Sequence, residues 1–332
     1  MSAAKRTLDK GYIATHTLRL GGRQRSFFYY YPHCDEPTSP LPAVLALHGS
    51  YSSAQAFMEI TALNEMAAKS GFVAVYPSMC YTMSYTVSHQ EARRDAAFIK
   101  RVLKYLEKTA LIDMSKIYAT GFSSGADILH YFASRKDLAC LFKGFAPVCS
   151  NIEKDWGESV NHDLPVNMLM LNGSLDRFNK WEGNPPRWLS AKDSFDIWSK
   201  HNGAEKIRAD NLPFFSTVSG FVHGDNNNSG QDTDLIFEAA TNAQTGAQVI
   251  LGKIEGGGHT WPGAQNKQGL LDMLVGRTHQ KHSAGEIIWS FFRQICLPST
   301  GRWIKLHICC FQVLVYFNHC GHICTSVTII WS

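Results

Sequence analysis

The chain has 332 residues and little net charge: 32 basic and 28 acidic side chains leave a formal +4. That excess is too small to build the basic face that nucleic acid requires. Charge runs such as Arg93-Arg94-Asp95 fall in a segment of helical periodicity, 89–108, where a solvated helix face accounts for them. Residues 1–10 hold no apolar core of a secretory signal, so no signal peptide is visible and location stays open. The nine cysteines follow no framework spacing. Cys34, Cys80, Cys140, Cys149 and Cys296 are scattered singly, which is compatible with free thiols and with one or two disulfides.

What the chain has in quantity is apolar side chain, 45% of all residues, enough for one large α/β core. Segments 13–20 and 25–31 flank Gly21-Gly22 and read as a β-hairpin. Residues 32–42 form a proline-punctuated loop. From position 43 to about 134, strand and helix signals alternate, including a helix over 54–69 and a strand over 72–76. That alternation predicts an α/β fold, a mostly parallel central sheet with helices on both faces. Residues 217–232, with Asp225-Asn226-Asn227-Asn228-Ser229-Gly230, read as a loop excursion, and 286–294 as a closing helix. The expected organisation is an N-terminal segment 1–12, an α/β domain 13–296 and a C-terminal stretch 297–332.

The C-terminal stretch differs in character, gathering Cys309, Cys310, Cys320 and Cys324. Its His319-Cys320-Gly321-His322-Ile323-Cys324 run lacks the paired C-x-x-C spacing of a zinc site. Lys305, His307, Asn318, His319 and His322 interrupt the ~20 apolar residues that a membrane span needs. No membrane partner is expected. The stretch is read as an atypical extension without chemistry of its own.

The most informative segment is Lys116-Ile117-Tyr118-Ala119-Thr120-Gly121-Phe122-Ser123-Ser124-Gly125-Ala126-Asp127-Ile128-Leu129. It reads as a buried strand, a G-x-S-x-G pentapeptide and a helix. A serine at so sharp a strand-to-helix turn has an exposed hydroxyl, and two glycines let the helix pack near the strand. The helix N-terminus offers unpaired N–H groups to a developing negative charge. Ser123 is the candidate nucleophile. Ser124, off the centre of the pentapeptide, is the poorer one.

In this arrangement the acid and then the histidine follow the serine in sequence. Residues 166–171 form a short apolar run that suits a strand buried on both faces, and Asp176 falls in the loop beyond it. Asp163 precedes that strand and Asp193 lies in a helical segment, so both are weaker candidates. A further strand, 248–255, runs into Gly256-Gly257-Gly258-His259-Thr260-Trp261-Pro262-Gly263. Among the 14 histidines only His259 has such a glycine-built approach at a strand end, and it is the candidate general base. His16, His162 and His201 sit in ordinary surface or helical positions. Upstream, the strand 42–47 leads into His48-Gly49-Ser50-Tyr51. The oxyanion hole is expected from the backbone N–H of Ser50 or Tyr51 together with that of Ser124, leaving His48 a structural role.

Leu47-His48-Gly49, Gly121-Phe122-Ser123-Ser124-Gly125, Asn172-Gly173-Ser174-Leu175-Asp176 and the Gly256–Gly263 string resemble the polyhydroxybutyrate depolymerase family. That family of α/β-hydrolase fold also holds feruloyl esterase-like and acetylxylan esterase-like members. The resemblance extends over about 15–294, including a helix from Asp193 to Gly203 with Trp198. It implies Ser123 as nucleophile, Asp176 as orienting acid and His259 as base, with no metal or organic cofactor. Two positions depart from the family: Ala204 stands where a cysteine is frequent, and no proline follows Asp176. The implied substrates are hydroxyalkanoate esters or acyl esters on plant-wall sugars. A serine peptidase or thioesterase using the same residues, and a non-catalytic binding module, are the competing readings. No Ser/Thr-rich linker for a polymer surface follows the domain, which favours soluble oligomers or small esters. Trp181, Trp188 and Trp261 lie near these loops and are candidates either for stacking on substrate or for capping the core.

Overall fold

The computed structural model describes residues 4–33, 40–80, 86–109, 111–212, 233–264, 274–295, 301–308, 311–318 and 323–331, with side-chain surroundings given only between 6 and 295. The expected loop excursion 217–232 lies outside the described residues. Two compact units divide the chain, Met1–Gln294 and Ile295–Ser332.

In the first unit β1 (Ala4–Leu8), β2 (Gly11–Leu20), β3 (Arg23–Pro32), β4 (Leu41–Leu47), β5 (Val73–Pro77), β6 (Ile112–Phe122), β7 (Gly144–Val148), β8 (Met168–Gly173), β9 (Glu205–Ile207), β10 (Asp234–Thr241) and β11 (Gln248–Glu255) form one sheet. Its order is β1-β2-β3-β5-β4-β6-β7-β8-β11-β10-β9. The run β5-β4-β6-β7-β8-β11 is parallel, while β3 joins β5 and β10 joins β11 antiparallel. The chain leaves β4 for β5 on one side and returns to place β6 on the other. The gap beyond the C-terminal ends of β4 and β6 is therefore a switch point, where open α/β sheets bind ligands.

Helices cover both faces: α1 (Ala54–Thr61), α2 (Leu63–Ser70), α3 (His89–Lys108), α4 (Ser124–Ser134), α5 (Lys136–Ala139), α6 (Lys154–Glu158), α7 (Ala191–Asn202) and α8 (Ala284–Ile295). The period-2 alternation of a strand explains how the layers form. Ala43, Leu45 and Leu47 of β4 join the cluster of Ile99 and Val102 from α3, Ile128 and Phe132 from α4, and Phe195 and Trp198 from α7. On the opposite side Tyr118 of β6 stacks on Phe292 of α8 at 4.7 Å, and Phe72 on Trp289 at 4.2 Å. Helix starts follow local chemistry. The α3 and α7 N-termini carry reciprocal capping boxes, Ser88 with Glu91 and Ser190 with Asp193.

The structure departs from the sequence reading in places. The helix expected over 54–69 is two helices, broken at Ala62, which adopts a left-handed φ of 51°. Residues 4–12 do not stand apart as a segment, because β1 and the start of β2 pair within the main sheet. Strands β1, β9 and β10 were not anticipated; these antiparallel strands, β1 and β9 at the edges and β10 next to one, lack the continuous apolar run that marks the buried parallel ones. In the second unit β12 (Gly301–Ile308), β13 (Phe311–Asn318) and β14 (Ile323–Trp331) form an antiparallel sheet where no element was foreseen. Among the described residues no helix is long and apolar enough to cross a membrane.

Because the two units form separate contact clusters, a chain stopped after Cys296 is expected to keep the eleven-stranded sheet. Its melting temperature should stay within about 3 °C of the full chain, the shift of roughly 1 kcal/mol in a domain this size. A drop of more than about 8 °C would make the C-terminal unit integral to the domain.

Candidate active site

Ser123 sits where β6 ends and α4 begins, with φ 53° and ψ −123°. A non-glycine residue there stores backbone strain and persists only because its surroundings hold it. Its N–H donates to the Val148 carbonyl at 3.0 Å, and its own carbonyl accepts from Ala126 at 2.7 Å and Asp127 at 2.9 Å. Ser123 occupies the N-cap position, yet its side chain makes no capping bond, so the hydroxyl is not committed to the helix.

The loop after β4 lies directly against this turn. A Cβ added at Gly49 would stand 3.2 Å from Ser123 Cβ, and one at Gly125 would meet the Leu47 carbonyl at 2.2 Å. The hydroxyls of Ser50 and Ser124 are 2.7 Å apart, which ties together the two loops expected to supply oxyanion N–H groups. Tyr51 has φ 57° and is 54% exposed, placing its ring toward solvent beside the same loop. His48 is buried, with Nε2 accepting from the Met79 N–H at 3.0 Å and Nδ1 2.8 Å from the Gly49 carbonyl. Burial holds its pKa below the usual imidazole value, in keeping with a neutral structural histidine.

Asp176 and His259 come together from two neighbouring strand ends, β8 and β11. His259 Nδ1 and Asp176 Oδ2 are 2.7 Å apart. The other carboxylate oxygen accepts the N–H groups of Phe178 and Asn179, each at 2.8 Å. These bonds fix the carboxylate, and the carboxylate fixes which imidazole nitrogen faces outward. The two loops are stitched by their backbones: Leu175 N–H donates to Gly257 O and Ser174 N–H to Ile254 O, each at 2.9 Å, while His259 N–H donates to Val275 O, further along its own stretch of chain, at 2.6 Å. Glycine is required on both flanks of the His259 loop, since a Cβ at Gly173 would fall 2.4 Å from the Gly257 carbonyl and one at Gly258 2.1 Å from the Val275 carbonyl. The imidazole lies between the rings of Phe122 and Phe178, centroids 4.9 Å and 5.2 Å away. Phe122 is the residue just before Ser123, so the ring of His259 lies beside the turn that carries the candidate nucleophile.

The competing acids fall elsewhere. Asp163 is an exposed surface group paired with Lys136 at 2.9 Å, and Asp193 caps α7. His162 and His201 bond the Ala133 and Leu164 carbonyls, and His16 stacks on Tyr105. Of the tryptophans, Trp261 is only 3% exposed and meets Phe57 edge-on, so it caps the core and leaves no ring face for a substrate. Trp181 lies under the Lys253 ammonium and Trp188 under the Arg187 guanidinium, both half-buried.

The sequence reading missed Cys149. Its thiol is buried and faces the Thr260 carbonyl at 3.4 Å, and burial next to Asp176 pushes its pKa well up. Among the described residues, Cys149, Asp176 and His259 are the one group of three donors within reach of a single cation, their ligand atoms within 4.8 Å. The imidazole and carboxylate already bond each other, and the thiol stays protonated, so the set as arranged is a hydrogen-bonded dyad with a neutral neighbour. Phe122 and Phe178 were missed as well; only their adjacency to Ser123 and Asp176 signalled them.

Strand order, parallel core, serine turn and strand-end loops together give the architecture. The chain has the α/β-hydrolase fold. No family model matches it. Among curated proteins it is 24% identical over 274 residues to NocK of Nocardia uniformis subsp. tsuyamanensis, designated an esterase, covering 75% of each chain. It is 26% identical over 216 residues to feruloyl esterase B of Piromyces equi, covering 61% of this chain and 32% of that one, so it spans about a third of that relative's length. A bifunctional acetylxylan esterase/xylanase of Neocallimastix patriciarum is 30% identical over 148 residues, 45% of this chain and 21% of the relative. Among solved structures, the acetyl xylan esterase from Aspergillus awamori aligns over 71% of this chain and 89% of its own, with TM-score 0.49 and 17% identity. That likeness adds nothing to the topology already described.

The close approach of Gly125 to Leu47 makes a direct prediction. Gly125→Ala forces a methyl group against two backbone carbonyls, Leu47 O at 2.2 Å and His48 O at 2.7 Å. Neither carbonyl can move without disturbing β4. Stability should fall by about 3 kcal/mol or more in urea unfolding, the upper end of overpacking costs. A loss under about 1 kcal/mol would mean that the helix does not pack on β4 as closely as described.

Proposed function

We propose that this protein is a serine-dependent carboxylic ester hydrolase in which Ser123, His259 and Asp176 act as a triad. The observation that carries the reading is the 2.7 Å contact of His259 Nδ1 with Asp176 Oδ2, made by a ring packed beside the strained Ser123 turn. Relatives named as esterases support the same class of chemistry.

In this mechanism His259 Nε2 takes the proton of the Ser123 hydroxyl as its oxygen attacks the ester carbonyl. Asp176 holds the Nδ1–H tautomer and offsets the imidazolium charge that forms. The N–H of Ser124 and that of Ser50 or Tyr51 receive the oxyanion at the N-terminus of α4. The alcohol leaves with the proton held by His259. Water, activated by the same imidazole, then hydrolyses the acyl-enzyme and restores Ser123. No step calls for a metal or an organic cofactor.

Two substrate classes fit this site equally well. Names of the relatives support feruloyl or acetyl esters on plant-wall sugars. The Gly-Gly-Gly-His-x-Trp-Pro-Gly string supports hydroxyalkanoate oligomers or small acyl esters. A panel of p-nitrophenyl acetate, methyl ferulate, acetylated xylan and hydroxybutyrate oligomers separates them by kcat/KM.

Ser123→Ala is expected to fold normally and to lose roughly 10⁴-fold or more in ester turnover, as removal of a triad member does. Retention of more than about a tenth of the activity would remove Ser123 from the mechanism.

A further inference from the structure

The helix behind Ser123 buries an acid that this mechanism does not use. Asp127 lies in the first turn of α4 and is 1% exposed, on a helix buried along its whole length. Burying a carboxylate without a counter-charge is costly, and an apolar residue in its place would pack at no such cost. Its carboxylate accepts from the Ser150 hydroxyl at 2.5 Å. The cation that acts on it, Arg187, bonds Glu153 at 2.6 Å and the Val87 carbonyl instead.

The bonds run on from Ser150. Asn172 Nδ2, at the end of β8, donates to the Ser150 carbonyl at 3.0 Å and to Asn151 Oδ1 at 2.7 Å. Asn151 Nδ2 donates to the Lys180 carbonyl at 2.9 Å. Lys180 follows Asn179, whose N–H holds Asp176. At the other end, the Asp127 N–H donates to the Ser123 carbonyl at 2.9 Å. Ser150, Asn151, Asn172 and Asp127 are all buried. The chain of bonds thus starts at the backbone of Ser123 and ends at the loop that carries Asp176.

We propose that Asp127 is a positioning residue of the active site, fixing the Ser123 turn relative to the Asp176 loop through the buried Ser150, Asn172 and Asn151 bonds. The inference rests on the triad proposed above. Asp127 touches neither substrate nor the reacting atoms. It acts through the geometry of the turn, where misplacement of about 1 Å costs turnover steeply.

The group also carries a pH signature. Burial pushes the Asp127 pKa up to about 7, reinforced by the charge of Glu153 and opposed by Ser150, Arg187 and the Trp188 indole. Glu153 in turn faces His89 and Asp155. On its own helix the next polar group is His130, which burial holds neutral, its pKa lowered to about 3. The folded state therefore keeps a proton that the unfolded chain releases near pH 4. The stability this confers is full below about pH 4, is lost as pH rises towards 7, and is constant above.

The test compares wild type with Asp127→Ala, Asp127→Asn and Ser150→Ala in ester turnover and in melting temperature from pH 5 to pH 8.5. Asp127→Ala should lower kcat by about tenfold or more with KM within about twofold, and Asp127→Asn should restore kcat to within about threefold. The melting temperature of wild type relative to Asp127→Asn should fall by several degrees as pH rises from 5 to 7 and then level off. A kcat within about twofold of wild type in Asp127→Ala, or a difference independent of pH, overturns the proposal. If Asp127→Ala does not fold, Ser150→Ala decides: a fall of about threefold or more in kcat at unchanged KM supports the network, and unchanged kcat overturns it. Ser123→Ala run alongside keeps the two proposals apart, since its activity bears on the triad alone.

Discussion

The structure around the site depends on one close approach, that of the α4 N-terminus to the end of β4. Gly125 leaves no room for a side chain beneath the Leu47 and His48 carbonyls, and Gly49 leaves almost none above Ser123. With the helix held there, Ser123 has to take its positive φ, because β6 and α4 cannot otherwise be joined by a single residue. The strain is offset by the Val148 carbonyl on one side and the first turn of α4 on the other. The same approach brings Ser50 and Ser124 into contact, so the Ser123 turn and the loop after β4 are built by one packing event.

A second pair of strand ends completes the geometry by the same means. Backbone bonds between the loops after β8 and β11 bring them within reach only because Gly173 carries no side chain where it meets Gly257 and Gly258. Asp176 is then fixed by two backbone N–H groups, and His259 by Asp176 and two flanking phenyl rings. Beneath both pairs lies a layer of buried polar side chains, Ser150, Asn151 and Asn172, that bond across β7 and β8. An all-apolar layer would be the cheaper core. A polar layer, once satisfied, fixes a unique arrangement, which suits a site that must hold two loops in register.

The sequence made the frame of this arrangement legible and left its fastenings hidden. Parallel buried strands announce themselves as short apolar runs, as at 42–47 and 166–171, and the serine turn and glycine-rich histidine loop stand out by spacing. The contact of Asp176 with His259 was legible because both follow buried strands, and such strands end at one edge of the sheet. Cys149, Phe178 and the Asn172–Asn151 bonds were not, since each depends on a tertiary neighbour remote in sequence. The break at Ala62 was invisible for a different reason: alanine is a strong helix former, and packing overrides that preference. Outer strands such as β10, which alternate exposed and covered residues, were lost among polar residues. Trp261 was recognisable as a site-loop residue, while its burial against Phe57 was not.

The central claim is that Ser123 is the nucleophile, held by this packing next to His259. Labelling with a fluorophosphonate ester, followed by peptide mass mapping, tests it most directly. The account predicts one adduct per chain, on Ser123, formed in step with complete loss of ester turnover and absent from His259→Ala. An adduct on Ser124 or elsewhere, or full turnover in a chain labelled at Ser123, would contradict it.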